Sequence, residues 1–376
     1  MSRLPGAIGP SNRTRSINVD PELAINYLIE LPGAGSPMAP ASYYGRPGLH
    51  PWQAMGAGPH RAAFAQDNLA FVVSGGGFYE VFAGGTSTFR GTVVVDGNPA
   101  TICSNGGADG SGGHQLFITA GGHGYIHDLV SQSFVEIVAS GFPRPCLMGA
   151  FLNGYFEGLK TNADKIQISN LLDGTLWDDI DVLQVLQQPG NIASLITSHQ
   201  ELWPFSATKV NPWVGTSDTS IFTPLQGATI DHGIYAPFSA QRLDNTLFWI
   251  SQTEQGGAIV VRADGYSPKI ISPPAINTFL QHTPNVNAAV AFSLQIDGHA
   301  LYLNYLPNTP YTPVYDLSND TWVYWATWNP NTTRFEPFNG RTHMWAFGKH
   351  LIGAIDSGWL YELSFDYTQD TLKGGA

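Results

Sequence analysis

VYDLSNDTWVYWATW, residues 314–328, sets five aromatic side chains around a short polar knot. Tyr315, Trp322, Tyr324, Trp325 and Trp328 surround Asp316, Ser318, Asn319, Asp320 and Thr321. Such a stretch is either a binding platform or one turn of a repeating unit, and only the second reading predicts a counterpart elsewhere. Tyr125–Ile137, YIHDLVSQSFVEI, is that counterpart. Aligning Asp128 with Asp316 places Leu129 on Leu317, Phe134 on Trp322 and Val135 on Val323. A looser relative, ISNLLDGTLWDDI (168–180), offers Asn170 and Trp177. The shared frame is a hairpin: the acidic residue starts the turn by accepting backbone amides, and the aromatic after the turn packs back on the sheet. Asp128, Phe134, Asp316 and Trp322 are therefore structural hairpin residues. Trp325 and Trp328 fall outside the repeat and stay open as residues facing a partner.

Working outward, a polar residue precedes an apolar strand-like run at Asn68 (NLAFVV), His114 (HQLFIT), Asn153 (NGYFEG), His199 (HQELWPF), Asn245 (NTLFWI), His299 (HALYLNY) and His350 (HLIGAI). The intervals are 46, 39, 46, 46, 54 and 51 residues. A period of about 40–50 residues, with room for four short strands, is the spacing of β-propeller blades. Asp-Gly at 96–97, 109–110, 173–174, 264–265 and 297–298 and Asn153-Gly154 supply hairpin turns, because both central residues of a type I′ turn take positive φ. The sequence predicts an all-β fold, a propeller of six or seven blades with an extended N-terminal arm. A pair of β-sandwich domains is the alternative that the uneven intervals leave open. The division is residues 1–58 for the Pro-, Gly- and Ser-rich arm, 59–366 for the propeller and 367–376 for a C-terminal tail. Helical periodicity is scarce. Asp178–Gln188, with Ile180, Leu183, Val185 and Leu186, fits a short helix or a strand edge, and Ala275–Gln281 fits one helical turn. Ser104–Gly113 (SNGGADGSGG) reads as a loop; it lacks the Gly-Lys-Ser/Thr ending of a phosphate cradle.

Charged residues make up 12% of the 376-residue chain, half the usual share of about 25%. Surfaces so poor in charge are readily buried against other subunits. The net charge of −12 lacks the basic footprint of a sequence-reading nucleic-acid binder, yet suits a conduit along which DNA slides without sticking. Two cysteines, Cys103 and Cys146, make neither a disulfide framework nor a zinc set and read as buried thiols. The N-terminus has no apolar signal-peptide core, and no apolar run reaches the length of a membrane span. A cytoplasmic origin is the expectation.

The arm brings a family into view. RSINVDPELAINYLIE (15–30) followed by YYGRPGL (43–49) resembles the start of the packaged-DNA stabilization proteins, the tail hub or nozzle proteins of short-tailed phages. The matching residues are Ser16, Asp20, Asn26 and Tyr27, then the Pro-Gly-hydrophobic turn Pro47, Gly48 and Leu49. The resemblance continues in order through HQELWPFSATKVNPWVGTSD (199–218), residues 224–251, GGAIVVRADGYSPKIISPPAINTFL (256–280), residues 299–325 and GKHLIGAIDSGWLYELSFD (348–366). It implies a virion tail subunit, assembled in the host cytoplasm as a homo-oligomeric ring, usually a hexamer, below the portal and adaptor. The implied partners are the tail adaptor, tail fibre or tailspike proteins, and double-stranded DNA passing without sequence-specific contacts. The resembled proteins commonly continue past their last propeller unit. This chain has about ten residues after Phe365, which leaves a compact member or a missing C-terminal domain.

Chemistry-bearing constellations are sparse, and no catalytic, cofactor or metal residue is predicted. His123 and His127 share a strand face but lack a third ligand at useful spacing. Asp231-His232-Gly233 with Ser251 or Ser220 imitates a hydrolase, without the Gly-x-Ser-x-Gly elbow. Asp178, Asp179 and Asp181 could furnish a glycosidase pair, and Trp203, Phe205 and Trp213 could stack sugars. A carbohydrate-binding or carbohydrate-cleaving propeller at the host surface is thus the alternative function, with acidic turns and inter-blade packing as the simpler reading of these residues.

Overall fold

The structure, a computed structural model, describes residues 23–31, 41–107, 109, 112–185, 190–216 and 221–373. The apolar strand-like runs noted in the sequence have a simple physical consequence: a strand with apolar residues at both parities must be covered on both faces. In Leu69–Ser74, Phe71 and Val73 enter one core cluster while Ala70 and Val72 enter another. In Thr246–Gln252, Phe248 and Ile250 point one way, Leu247 and Trp249 the other. Seven such clusters exist among the described residues, each shared by two neighbouring sheets. The result is a seven-bladed β-propeller, at the upper end of the expected count.

Blade 1 is His60–Gln66, Leu69–Ser74, Gly77–Phe82 and Thr86–Thr92. Blades 2 to 6 start with Thr101–Gly106, Cys146–Leu152, Ile192–Ser198, Gln241–Leu243 and Val290–Ile296, each followed by three further antiparallel strands in sequence order. Blade 6 adds a fifth strand, Arg334–Pro337, paired with the end of Thr321–Asn329. Blade 7 is Thr342–Ala346, Lys349–Gly353 and Trp359–Ser364, completed on its outside by Gly48–Ala54, with Leu49 opposite Leu363. Residues 48–54, read from sequence as part of the arm, are thus the strand that closes the ring. A hairpin of Tyr27–Glu30 with Ser42–Gly45 lies against blade 6, where Ile25 bridges to Tyr324.

All seven polar anchors fall at the turn into, or within the start of, a second strand. The turns themselves are more varied than Asp-Gly. Two successive residues with positive φ make this hairpin at Asp67-Asn68, Asn153-Gly154, His199-Gln200, Asp297-Gly298 and Phe347-Gly348, the backbone of a type I′ turn. Asp297-Gly298 and Asp264-Gly265 lie in hairpins as expected, whereas Asp173-Gly174 opens a strand instead.

Two local expectations need correction, and one open alternative is decided. Of the two readings of Asp178–Gln188, the strand is the one found: Asp173–Gln184 is a strand, and residues 186–189 lie outside the described residues. Its register jumps from Ser169↔Trp177 to Gln167↔Val182, so residues 178–181 bulge opposite Ile168 alone, and that bulge is what imitated helical spacing. The glycine-rich stretch at 104–113 is strand at both flanks, Thr101–Gly106 and Gly112–Ala120; residues 108, 110 and 111 lie outside the described residues. Cys146 is buried, but Cys103 is only half-buried, beside the central cavity. The helix expected near Ala275–Gln281 spans Pro274–His282, with proline at its first turn and Ile276 and Leu280 in the core between blades 5 and 6.

Candidate functional site

The opening stretch resolves into packing. Tyr315, Trp322 and Tyr324 enter the core between blades 5 and 6; Val314, Val323 and Trp325 enter that between blades 6 and 7. The repeat is real in three dimensions: Asp128 and Asp316 each end the third strand of a blade. Asp128 Oδ1 accepts the Val130 and Ser131 amides at 3.0 and 2.7 Å, and Asp316 Oδ1 accepts the Ser318 amide at 3.0 Å. Each also meets its blade's anchor histidine. His299 Nδ1 donates to Asp316 Oδ2 at 2.5 Å, which raises the His299 pKa above its ordinary value. His114 Nδ1 lies 2.9 Å from Asp128 Oδ2. Phe134 stacks on Tyr125 and on Phe78 of the preceding blade; Trp322 packs on Tyr315 and donates its indole N–H to the Ile271 carbonyl at 3.0 Å. Of the two tryptophans left open, Trp325 is fully buried against Phe338, whereas Trp328 is exposed beside Phe335.

Asn26, Pro47, Gly48 and Leu49 of the resemblance residues gather at one place. Ser16 and Asp20 lie outside the described residues. Asn26, with φ of 63°, turns its side chain inward: its Oδ1 accepts the Arg46 Nε–H at 2.9 Å and the Ala326 amide at 2.8 Å. Arg46 also donates to the carbonyls of Pro47 (2.8 Å) and Ala326 (3.2 Å) and makes a forked pair with Asp370 at 3.0 and 2.5 Å. Its guanidinium sits 4.9 Å from the Phe338 ring centroid. Pro47–Gly48–Leu49 enters the closing strand rather than a turn. Gly48 is required there: a Cβ would stand 2.6 Å from the Tyr367 carbonyl oxygen and 2.7 Å from that of Gln369. Tyr27, by contrast, is exposed and meets Tyr43 edge-on. The arm, blade 6, the closing strand and the tail are thereby tied into one knot. Sequence spacing carried no sign of Asp370, 324 residues from Arg46.

The first strands of all seven blades surround a central cavity of about 330 Å³, lined by Arg61, Thr101, Gly149, Ser194, Gln241, Ala291 and His343 among others. Arg61 is held to the loop after blade 1 by the Asn98 and Val94 carbonyls at 2.9 and 2.8 Å and by Asp96.

The imitations of active sites separate. His127 is buried between Phe71 and Phe78, and burial lowers its pKa; His123 is partly exposed and pairs with Glu136 at 2.9 Å. Among the described residues no group of three or more His, Cys, Asp or Glu is placed to hold a metal. Asp231 is exposed and pairs with Lys209, Ser251 is buried, and Ser220 lies outside the described residues. Trp203, Phe205 and Trp213 are buried core residues, so they offer no stacking platform.

Glu157, which no sequence pattern marked, is fully buried in the second strand of blade 3, on the face whose cross-strand partners Ala150 and Ile168 enter the core shared with blade 4. Neither carboxylate oxygen has a hydrogen-bond partner, and desolvation pushes its pKa well above the ordinary range. The sign follows. Below the ordinary carboxyl pKa both folded and unfolded chains hold the proton, and the group adds no pH dependence to stability. As pH rises past that value only the unfolded chain ionises, so stability falls. Glu157→Met should therefore raise stability by about 1–3 kcal/mol at pH 7 and flatten the dependence between pH 4 and 7 in urea unfolding. An unchanged pH profile would refute this assignment.

Comparison with known proteins accords with the fold. A search of curated proteins finds no match. Among solved structures, the extracellular domain of BT4673 from B. thetaiotaomicron is similar, with a TM-score of 0.54 and 11% identity over 84% of this chain. This chain covers only 40% of that one. YCF48 from Cyanidioschyzon merolae is similar at a TM-score of 0.51 and 12% identity, over 85% of this chain and 99% of that one. At such identities the likeness is one of fold. A family model carries more. It matches residues 36–368, from ahead of the closing strand through all seven blades to just short of Asp370, and its description is "Bacteriophage P22 Gp10, beta-propeller". The chain belongs to that family of phage structural propellers.

Proposed function

We propose that this chain is a non-enzymatic tail subunit of a short-tailed phage, a hub or nozzle protein. In this reading it forms a homo-oligomeric ring, a hexamer, below the portal and adaptor, extends the DNA channel and helps retain packaged DNA. Tail adaptor and tail fibre or tailspike proteins are its neighbours in the virion. The family match across residues 36–368 is the observation that carries the reading. Two physical points support the mechanical role. A central cavity of about 330 Å³ is the size of a small-ligand pocket, so a duplex would pass between copies and not along the propeller axis. The net charge of −12 gives phosphates little to hold, which favours sliding over binding.

Native mass measurement of the chain, alone and with purified adaptor rings, tests this. Six copies per assembly are expected, with duplex DNA failing to bind measurably at moderate salt. A chain that stays monomeric and never joins an adaptor ring would remove the proposal.

A further inference from the structure

The central cavity carries the opposite charge from the chain around it. With 29 acidic residues against 17 basic ones, an acidic lining is the ordinary outcome. Yet among the described residues no aspartate or glutamate lines the cavity, and Arg61 and Arg341 are its two cationic side chains. His343 also lines it, but burial and the neighbouring His350 push its pKa down to about 3, so it is neutral. The wall adds donors of its own. The first strand of every blade is a sheet edge, so one row of its N–H and C=O groups has no strand partner.

The two arginines are not equivalent. Arg61 spends its donors on the Asn98, Val94 and Gly75 carbonyls and on Asp96. Asp96 is engaged in turn, since its oxygens also accept the Asn98 amide and the Asn98 side chain. Arg341 stands directly ahead of the first strand of blade 7. Among the described residues its side chain makes one hydrogen bond, from Nη2 to the Gly97 carbonyl at 3.4 Å. Its Nε is buried and unpartnered. Burial lowers the Arg341 pKa and the Arg61 charge adds to this, with Tyr305 and Asp96 acting the other way. A guanidinium has five donors and keeps its charge in a protein, and a cation set back from water needs a counter-charge. Here two cations share one carboxylate.

We propose that the central cavity binds one small oxyanion of the phosphate or sulfate class, held by a forked pair from Arg341 Nε and Nη and by the charge of Arg61. Two guanidiniums from adjacent blades call for more oxygens than a carboxylate has, because one arginine saturates both of those. The volume of about 330 Å³ lies at the lower end of small-ligand sites. The anion ties the last blade to the first. The site belongs to a single copy and is independent of ring assembly.

Inorganic phosphate is the probe, with the full chain. Against sodium chloride of equal ionic strength, saturating phosphate should raise Tm by about 2–4 °C, and equilibrium dialysis should count one ion per chain. Sulfate should act alike and acetate should not. Phosphate also stabilises folded proteins generally, by exclusion from their surfaces, so the difference between the salts is measured in Arg341→Gln as well. There the bound ion should be lost and the excess rise with it. Arg341→Lys, a point charge without the fork, should bind at least roughly tenfold more weakly. An equal rise in wild type and Arg341→Gln, or dialysis that never saturates, means exclusion alone and overturns the site. The wild-type stoichiometry decides this even where Arg341→Gln fails to fold. A rise with acetate that matches phosphate would make the ligand a carboxylate and also overturns the assignment. So does an Arg341-dependent rise with short duplex DNA and none with the free ion, which would make Arg341 a DNA contact.

Discussion

Trp322→Ala is expected to cost about 3–5 kcal/mol of folding stability. The side chain is 3% exposed and belongs to the core between blades 5 and 6, where it meets Tyr315 and shares a cluster with Phe248 and Tyr302. Removal leaves a cavity that a closed ring of sheets relaxes into poorly, and it strips the Ile271 carbonyl of its indole partner. Since whole domains are stable by only about 5–15 kcal/mol, much of the fold's margin would go. Trp322→Phe separates the two contributions: it keeps most of the packing and loses the hydrogen bond, for about 1–2 kcal/mol. Urea unfolding followed by tryptophan fluorescence reads both. Wild-type stability in the alanine variant would show that the aromatic pair is surface decoration, and the platform reading of residues 314–328 would return.

The second large effect belongs to Arg46. Its side chain is 6% exposed, and Asp370 beside it is 14% exposed. Truncation to alanine leaves the Asp370 carboxylate with the Leu49 amide and no cation, and takes one donor each from Asn26 Oδ1 and the Ala326 carbonyl, a loss of about 3–5 kcal/mol for a buried pair broken on one side. Lysine should rescue little, because one ammonium cannot reproduce a forked pair with Asp370 while also reaching Asn26 and Ala326. The loss should be local first. Leu49 donates its amide to Asp370 Oδ1 at 3.0 Å and Thr371 donates to the Leu49 carbonyl at 2.8 Å. Hydrogen exchange should therefore quicken along Gly48–Ala54 before blades 2–5 respond. Uniform protection in Arg46→Ala would mean that the closing strand is held by its ladder with Trp359–Ser364 alone.

How much of this was legible depended on distance along the chain. Blade hairpins are local, and their chemistry is written within a few residues: Asp128 and Asp316 cap turns with amides two or three positions on, and each anchor residue marks a second strand. Seven anchors gave the blade count within one. Closure was illegible because Leu49 pairs with Leu363 and Arg46 with Asp370, and no short window contains both partners. Residues 178–188 stayed ambiguous between helix and strand for another reason. Trp177 and Leu183 are six apart and would share a face of a regular strand, but the bulge sends them into two different inter-blade cores, so no clean period of two survives. Glu157 was hidden because a buried acid between glycine and phenylalanine is indistinguishable in sequence from one on the surface.

The closing strand also sets a timetable. Gly48–Ala54 is made early, yet its partner Trp359–Ser364 is synthesised some 300 residues later, a delay of roughly 15–60 s on a ribosome adding about 5–20 residues per second. Through that interval the strand has apolar residues at Leu49 and Trp52 and nothing to pair with. Pro51 stands in its middle, at the point where the final register shifts. A residue without an amide hydrogen cannot complete a ladder with a passing chain, so the same proline that the finished blade accommodates guards the nascent polypeptide against pairing with a stranger while it waits for its own last blade.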